Sequence, residues 1–230
     1  MKSLVIVFST FSVESRGEIY NIARQNEYVS CYGQLDRVVP SEFDILYVDN
    51  SIQNLEELKS NTLREFLKTK SFILTKQNFG GRNKGVGELV MLVQASQVVD
   101  FSKYHTICYC TGRKFFTCPY PFEKAISSDK EAVVSNPDFL FLDGRFREVA
   151  KGMFNDMFFA MKSQTMINFV EYTKPRLQTM EQFMINSETN LYQFIQENHV
   201  SHQVLPSLGI IRNEQAISDP YDSIENFHIC

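Results

Sequence analysis

The chain has 230 residues, 23 Lys+Arg against 27 Asp+Glu for a formal net charge of −4, and is 43% hydrophobic and 22% charged. That length is enough to bury a large core, and the composition is globular rather than disordered. The near-balanced charge excludes a nucleic-acid polymer as partner, which needs a clear positive excess to displace counterions.

Residues 4–8 are a continuous apolar run that stops at Ser9-Thr10. This is the pattern of a buried parallel strand with hydroxyls at its carboxyl end. A short helix is predicted over residues 15–25, with Ile19, Ile22 and Ala23 on one face. Residues 45–48 form a second strand, ending at Asp49-Asn50-Ser51, and residues 55–67 follow with helical spacing. Residues 72–74 are a third strand. The turn-rich segment 78–85 then opens a helix over 86–98, in which Val86, Leu89, Val90 and Val93 keep the 3.6-residue period. Residues 106–110 are a fourth strand, ending at Thr111-Gly112-Arg113-Lys114.

This alternation over residues 4–110 predicts an α/β fold, a Rossmann-like, mostly parallel sheet flanked by helices with right-handed crossovers. Ligands of such sheets bind at the carboxyl ends of the strands, and four polar signatures fall at four such ends. In the second half, 139–142 reads as a strand ending at Asp143, and 157–161 is an apolar run preceded by Asn155-Asp156. Helices are predicted over 164–172 and 188–197, and short strands at 204–205 and 208–211. Pro119 and Pro121 mark a loop between two halves, 1–118 and 119–230, of a single domain.

Phe (20) and Tyr (10) are abundant and Trp is absent, while Gly (10) and Pro (7) are scarce, which suits a helix-covered sheet better than a loop-rich all-β protein. No run approaches the roughly 18–20 apolar residues of a membrane span, which leaves room only for peripheral membrane contact. The five cysteines, Cys31, Cys108, Cys110, Cys118 and Cys230, are an odd number and are expected as thiols in a reducing compartment, hence a cytoplasmic location. Their spacing with His105 is not that of a structural zinc site. The G-x-S-x-G elbow, the phosphate-binding P-loop and the glycine fingerprint of dinucleotide-binding folds are absent.

Three features, in order, resemble nucleotide-sugar glycosyltransferases of the GT-A type. The first strand ends in hydroxyls, Val7-Phe8-Ser9-Thr10. A later strand ends in a V-D-x-S turn, Val48-Asp49-Asn50-Ser51. An N-x-G-x-x-N-x-G-like segment, Asn78-Phe79-Gly80-Gly81-Arg82-Asn83-Lys84-Gly85, opens a helix. Lys84-Gly85-Val86-Gly87-Glu88 and Thr111-Gly112-Arg113 also resemble polysaccharide-biosynthesis and viral glycosyltransferase-like proteins with N-K-G-x-x-E before a strand ending in T-G-R. The match spans residues 4–115.

The resemblance implies a GT-A-like fold and transfer of a sugar from a nucleotide-sugar donor to a hydroxyl of a glycan or glycolipid, in surface-polysaccharide assembly. It places Ser9, Thr10, Asp49, Asn78, Arg82, Lys84, Gly85, Glu88, Thr111 and Arg113 around the donor. The family's Asp-x-Asp pair, which holds a divalent cation on the diphosphate, is replaced here by Thr111-Gly112-Arg113-Lys114. No metal is then obligatory, because the Arg113 guanidinium can neutralise the leaving diphosphate bidentately.

An inverting transfer needs a carboxylate to take the acceptor proton. Asp156 is the first candidate, at the mouth of an apolar run; Glu188 is second and Asp143 third. Each site has a plainer account: Asp49 as a turn acid, Glu88 and Glu188 as first-turn acids favoured by a helix dipole, Arg113 and Lys114 as solvated surface cations. Two other functions fit the same residues, a non-catalytic nucleotide- or glycan-binding module of this fold and a nucleotidyltransferase.

Overall fold

The computed structural model describes residues 2–77, 83–135, 152–206 and 208–212. The four strands expected in the first half are present as β1 (Ser3–Ser9), β2 (Phe43–Asp49), β3 (Ser71–Leu74) and β4 (Thr106–Thr111), all mutually parallel. β5 (Lys114–Phe116) follows β4 immediately and pairs, antiparallel, with β9 (Ile210–Arg212). β6 (Ala132–Ser135), β7 (Phe158–Lys162) and β8 (His202–Leu205) extend the main sheet to seven strands in the order β3-β2-β1-β4-β7-β6-β8.

β7 is antiparallel to both its neighbours, whereas β6 and β8 are parallel to each other. Its first residue, Phe158, therefore lies beside Cys110 near the carboxyl end of β4. The amino end of β7 and the carboxyl end of β6 thus share the rim formed by the ends of β1, β2 and β4. The Asn155 N–H donates to the Ser135 carbonyl at 2.8 Å and ties the two ends together.

Side chains alternate across a strand, so β1 serves two cores. Leu4, Ile6 and Phe8 pack with α3 (Lys84–Val98), α5 (Ser163–Thr173), α6 (Leu177–Gln182) and α7 (Ser187–Glu197). Val5 and Val7 pack with α1 (Glu18–Val38), α2 (Asn61–Lys68) and α4 (Tyr120–Ser127). β1 and β4 are covered on both faces, which is why they read as unbroken apolar runs.

The helices depart further from expectation. The helix predicted over 15–25 is α1, which starts at Glu18 and runs to Val38. Its predicted apolar face is wrong: Ile19 is 78% exposed, and the buried face carries Asn21, Gln25, Tyr28, Tyr32 and Leu35. The polar pair turns inward because the β1–α1 loop needs partners. Asn21 Oδ1 accepts from Val13 N–H at 2.9 Å. Gln25 Nε2 donates to the Phe11 carbonyl at 3.3 Å, and its Oε1 accepts from Lys59 and Ser60 N–H at 2.9 and 2.8 Å.

The helix predicted over 55–67 is interrupted. A single 3-10 turn, Leu55–Glu57, precedes α2, whose N-cap Ser60 accepts from Leu63 N–H. The Arg64 guanidinium donates to the Leu55 and Leu58 carbonyls, satisfying the groups that the break exposes. α3 begins at Lys84, two residues before the predicted start. Pro119 and Pro121 open α4 rather than a loop, since proline needs no N–H in a first helical turn. β6 and α6 were not foreseen, being four and six residues long.

The predicted strand 139–142 and Asp143 lie outside the described residues, as do Asn78 and Arg82. The expectation of five thiols is corrected: Cys118 is disulfide-bonded, while Cys31, Cys108 and Cys110 are free and buried. An odd count is compatible with a bridge plus free thiols, so it does not identify a reducing compartment. Among the described residues no helix is long and apolar enough to cross a membrane.

Candidate functional site

The end of β2 is organised by Asp49, which is 1% exposed. Its Oδ2 accepts from Phe11 N–H at 2.7 Å. Its Oδ1 accepts from Ser51 N–H and the Ser51 hydroxyl, both at 2.7 Å, and from Ile52 N–H at 3.2 Å. Burial pushes its carboxyl up to about 6, against the opposing pull of these bonds. Both oxygens are thus committed to the loops after β1 and β2. The Thr10 hydroxyl donates to Asn50 Oδ1 at 2.8 Å and the Ser9 hydroxyl to the Val48 carbonyl at 3.0 Å. Thr10 N–H donates to the Tyr28 hydroxyl at 3.0 Å, and the Arg24 guanidinium donates to the Thr10 carbonyl.

A second cluster forms where α3, α7 and the start of β7 meet. Glu88, in α3, accepts from the Tyr109 hydroxyl of β4 at 2.8 Å and lies 3.6 Å from Lys84 Nζ. Asp156, two residues before β7, is hydrogen-bonded to the Ser187 hydroxyl through its Oδ2. The same hydroxyl lies 3.4 Å from Glu188 Oε2. Thr111 N–H donates to the Met157 carbonyl at 3.1 Å, which holds this segment to the end of β4.

Close packing of two helix starts makes this possible. A Cβ on Gly85 would lie 2.7 Å from Ser187 N and from Ser187 Oγ. The space that Gly85 leaves is therefore taken by α7. The Asn83 amide donates to the Ile185 and Met180 carbonyls at 2.8 and 3.2 Å, and fixes the approach of α7.

Burial pushes the Asp156 carboxyl up to about 8, with the charges of Glu188 and Glu88 adding to it. Burial raises Glu188 as well, and Glu88 contributes. The dipoles of two helix N-termini favour negative charge here and offset part of the mutual repulsion. A carboxyl raised in the folded state holds a proton that the unfolded chain releases. The stability this gives is complete below the ordinary carboxylate range, near 3.8, and is lost as pH rises through about 8. The melting temperature should accordingly fall between about pH 5 and pH 9. Asp156→Asn should flatten that slope and raise Tm at the alkaline end by at least about 2–4 °C, seen by calorimetry.

Arg113 sits on the other side of the rim. Its Nη1 is 3.4 Å from Glu27 Oε2 of α1, and the Glu27 side chain is 9% exposed. Gly112 draws this turn against β1: its N–H donates to the Phe8 carbonyl at 2.7 Å, and a Cβ there would meet that oxygen at 2.8 Å and Tyr28 Cε1 at 2.9 Å. The Lys84 ammonium is 81% exposed and lies within electrostatic reach of both sides. Glu88 raises its pKa, Asp156 adds to this, and Arg113 opposes it. Among the described residues the buried Thr111 hydroxyl has no hydrogen-bond partner.

The structure therefore brings Lys84, Gly85, Glu88, Asp156 and Glu188 together, and puts Ser9, Thr10, Asp49, Thr111 and Arg113 along the same rim. Sequence reasoning missed Ser187, Tyr109 and Glu27. Ser187 looks like an ordinary helix-start residue, and only its contact with Gly85 distinguishes it. Among the described residues no group of three or more His, Cys, Asp or Glu is placed to hold a metal ion.

No protein-family model matches the chain, and no curated protein matches it in sequence. Solved structures do resemble it. One, from Desulfovibrio desulfuricans and provisionally described as a nucleotide-diphospho-sugar transferase, superposes with a TM-score of 0.54 at 10% identity, over 89% of this chain and 80% of the other. Another is 4-diphosphocytidyl-2C-methyl-D-erythritol synthase from Anaerococcus prevotii, with a TM-score of 0.52 at 10% identity, over 94% and 91%. The chain has an α/β, Rossmann-like fold, a mostly parallel seven-stranded sheet flanked by helices, with nucleotide-diphospho-sugar transferase-like structures among its neighbours.

Proposed function

We propose that the protein transfers a sugar from a nucleotide-sugar donor to a hydroxyl of a glycan or glycolipid acceptor, without an obligatory metal, in the cytoplasm and in surface-polysaccharide assembly. The observation that carries this reading is the convergence of Glu88, Asp156 and Glu188 beside Lys84, with Arg113 across the same rim. Ligands of open α/β sheets bind at this rim, and the fold likeness supports the donor class.

In this reading the Ser9–Thr10 loop and the Asp49 turn receive the nucleotide, and Asp49 acts by fixing the loop amides that it already binds. Asn78 and Arg82 belong to the same donor-side segment. Lys84, Thr111 and Arg113 face the diphosphate. The acceptor oxygen bonds to the sugar carbon as the bond from that carbon to the diphosphate oxygen breaks. The diphosphate leaves with the electron pair, and a carboxylate of the Asp156–Glu188 pair takes the acceptor proton.

The test is a panel of nucleotide sugars with EDTA present, read by thermal shift and by release of nucleoside diphosphate. If no uridine, guanosine or cytidine nucleotide raises Tm, the donor site is rejected. Arg113→Ala should lower kcat by about 100-fold, as loss of one charge-stabilising donor does; unchanged turnover would remove Arg113 from the leaving-group role. A nucleotidyltransferase is the second reading, favoured by the superposition over nearly the whole length of the erythritol synthase. Diphosphate release from a nucleoside triphosphate would select it.

A further inference from the structure

Ser187 is 3% exposed and touches two acids at once. Its Oγ is hydrogen-bonded to Asp156 Oδ2 and lies 3.4 Å from Glu188 Oε2. A serine hydroxyl has one hydrogen to donate and two lone pairs that accept. It cannot donate fully to two ionised carboxylates, and an ionised carboxylate has no hydrogen to return. Both contacts are complete hydrogen bonds only when one acid is protonated and donates to Oγ, while Oγ donates to the other.

Helix capping does not account for Ser187, because Asn186 caps α7: its Oδ1 accepts from Thr189 N–H at 2.9 Å. Ser187 is instead wedged against the backbone of Gly85. The charged and titratable groups facing the pair are Glu88 and Lys84 from α3 and Tyr109 from β4. Glu88, bound by Tyr109 and Lys84, puts a negative charge beside both acids and disfavours the doubly ionised state. Glu188 lies in the first turn of α7, where the helix dipole favours the ionised form. Asp156 faces the same helix start from outside it, and burial pushes its carboxyl up to about 8, so it is the acid that keeps the proton.

We propose that Ser187 is a positioning residue that joins Asp156 and Glu188 into a pair sharing one proton, with Asp156 donating to the serine hydroxyl and the hydroxyl donating to Glu188. On the transferase reading above, this leaves Glu188 ionised to take the acceptor proton, while Asp156 stays protonated. The acceptor O–H bond breaks toward the Glu188 carboxylate, and its electron pair forms the new bond to the sugar carbon.

The link makes a prediction of sign. The singly protonated pair has two hydrogen bonds through Ser187 and the doubly ionised pair has one. Removing the hydroxyl therefore weakens the hold on the last proton. Protein labelled with carbon-13 at the Asp carboxyls, titrated without ligand, should show Asp156 losing its proton near pH 8, with the resonance identified by its loss in Asp156→Asn. In Ser187→Ala, which keeps the Asn186 cap, that midpoint should fall by about one pH unit, a tenfold loss of proton affinity. Ser187→Thr should restore it. Gly85→Ala, whose methyl would displace Ser187 without changing a titrating group, should lower it too. A serine that only donates to ionised Asp156 gives the opposite sign, so a raised or unmoved midpoint in Ser187→Ala overturns the proposal. A wild-type protein that titrates as expected but transfers no sugar rejects the transferase reading and keeps the shared proton.

Discussion

Glu188→Gln should lower sugar-transfer turnover by about 10²–10⁴-fold, the range for loss of a general base, with little change in donor affinity. Glutamine has the shape of glutamate, and its amide oxygen still accepts from the Ser187 hydroxyl. The Asn186 cap is untouched. What disappears is a negative charge between Asp156 and Glu88 and the atom able to take the acceptor proton. Folding should not suffer: the charge of Glu188 helps to raise Asp156, so its removal relieves a like-charge cost. A kcat decrease with unchanged donor KM and an equal or higher Tm is therefore the expected pattern. Turnover within about threefold of wild type would remove Glu188 from the chemistry.

The largest stability effect is expected at Asp49. Asp49→Ala leaves the N–H groups of Phe11, Ser51 and Ile52 and the Ser51 hydroxyl without their acceptor. Each orphaned buried group costs about 1–3 kcal/mol. With partial relaxation the sum is about 3–6 kcal/mol, or a Tm decrease of about 10 °C or more in a chain of this size. Asp49→Asn keeps one acceptor oxygen and should lose about half as much. The carboxyl is raised to about 6 in the folded state, so the stability tied to its proton is lost as pH rises through about 6. The measurement is thermal unfolding at acid and alkaline pH; a loss below about 1 kcal/mol would mean that the loops do not depend on this acid. Donor affinity should fall with stability, because Thr10 and Ser12 are held by the same network through Asn50 and Ser51.

The strands were legible because burial on two faces writes itself as uninterrupted apolar sequence, as in residues 4–8 and 106–110. The helices were less so, for a physical reason. The inward face of α1 carries Asn21 and Gln25, which satisfy loop amides and carbonyls, so hydrophobic periodicity pointed to Ile19 on the wrong side. For the candidate site, strand-end position pointed to Arg113, the start of an apolar run to Asp156, a helix start to Glu188, and the family resemblance to Glu88. Their mutual distances were not readable. They depend on an antiparallel β7 delivering Asp156 to the rim, and on a missing Cβ at Gly85 that admits Ser187. The pairing of Glu27 with Arg113 joins residues far apart in the chain, and nothing local in the sequence announces it.

The reversed direction of β7 also bears on how firmly the rim holds Asp156. Because β6 ends and β7 begins at one rim, the hydrogen bond from Asn155 N–H to the Ser135 carbonyl fastens the two strand ends to each other there. Phe154, just before Asn155, adds a second fastening: it is buried in the core, and its N–H donates to the Glu188 carbonyl of α7. Asp156, the next residue after Asn155, is therefore anchored by backbone on both sides, and its place at the rim is set by the sheet and α7 rather than by its own side chain.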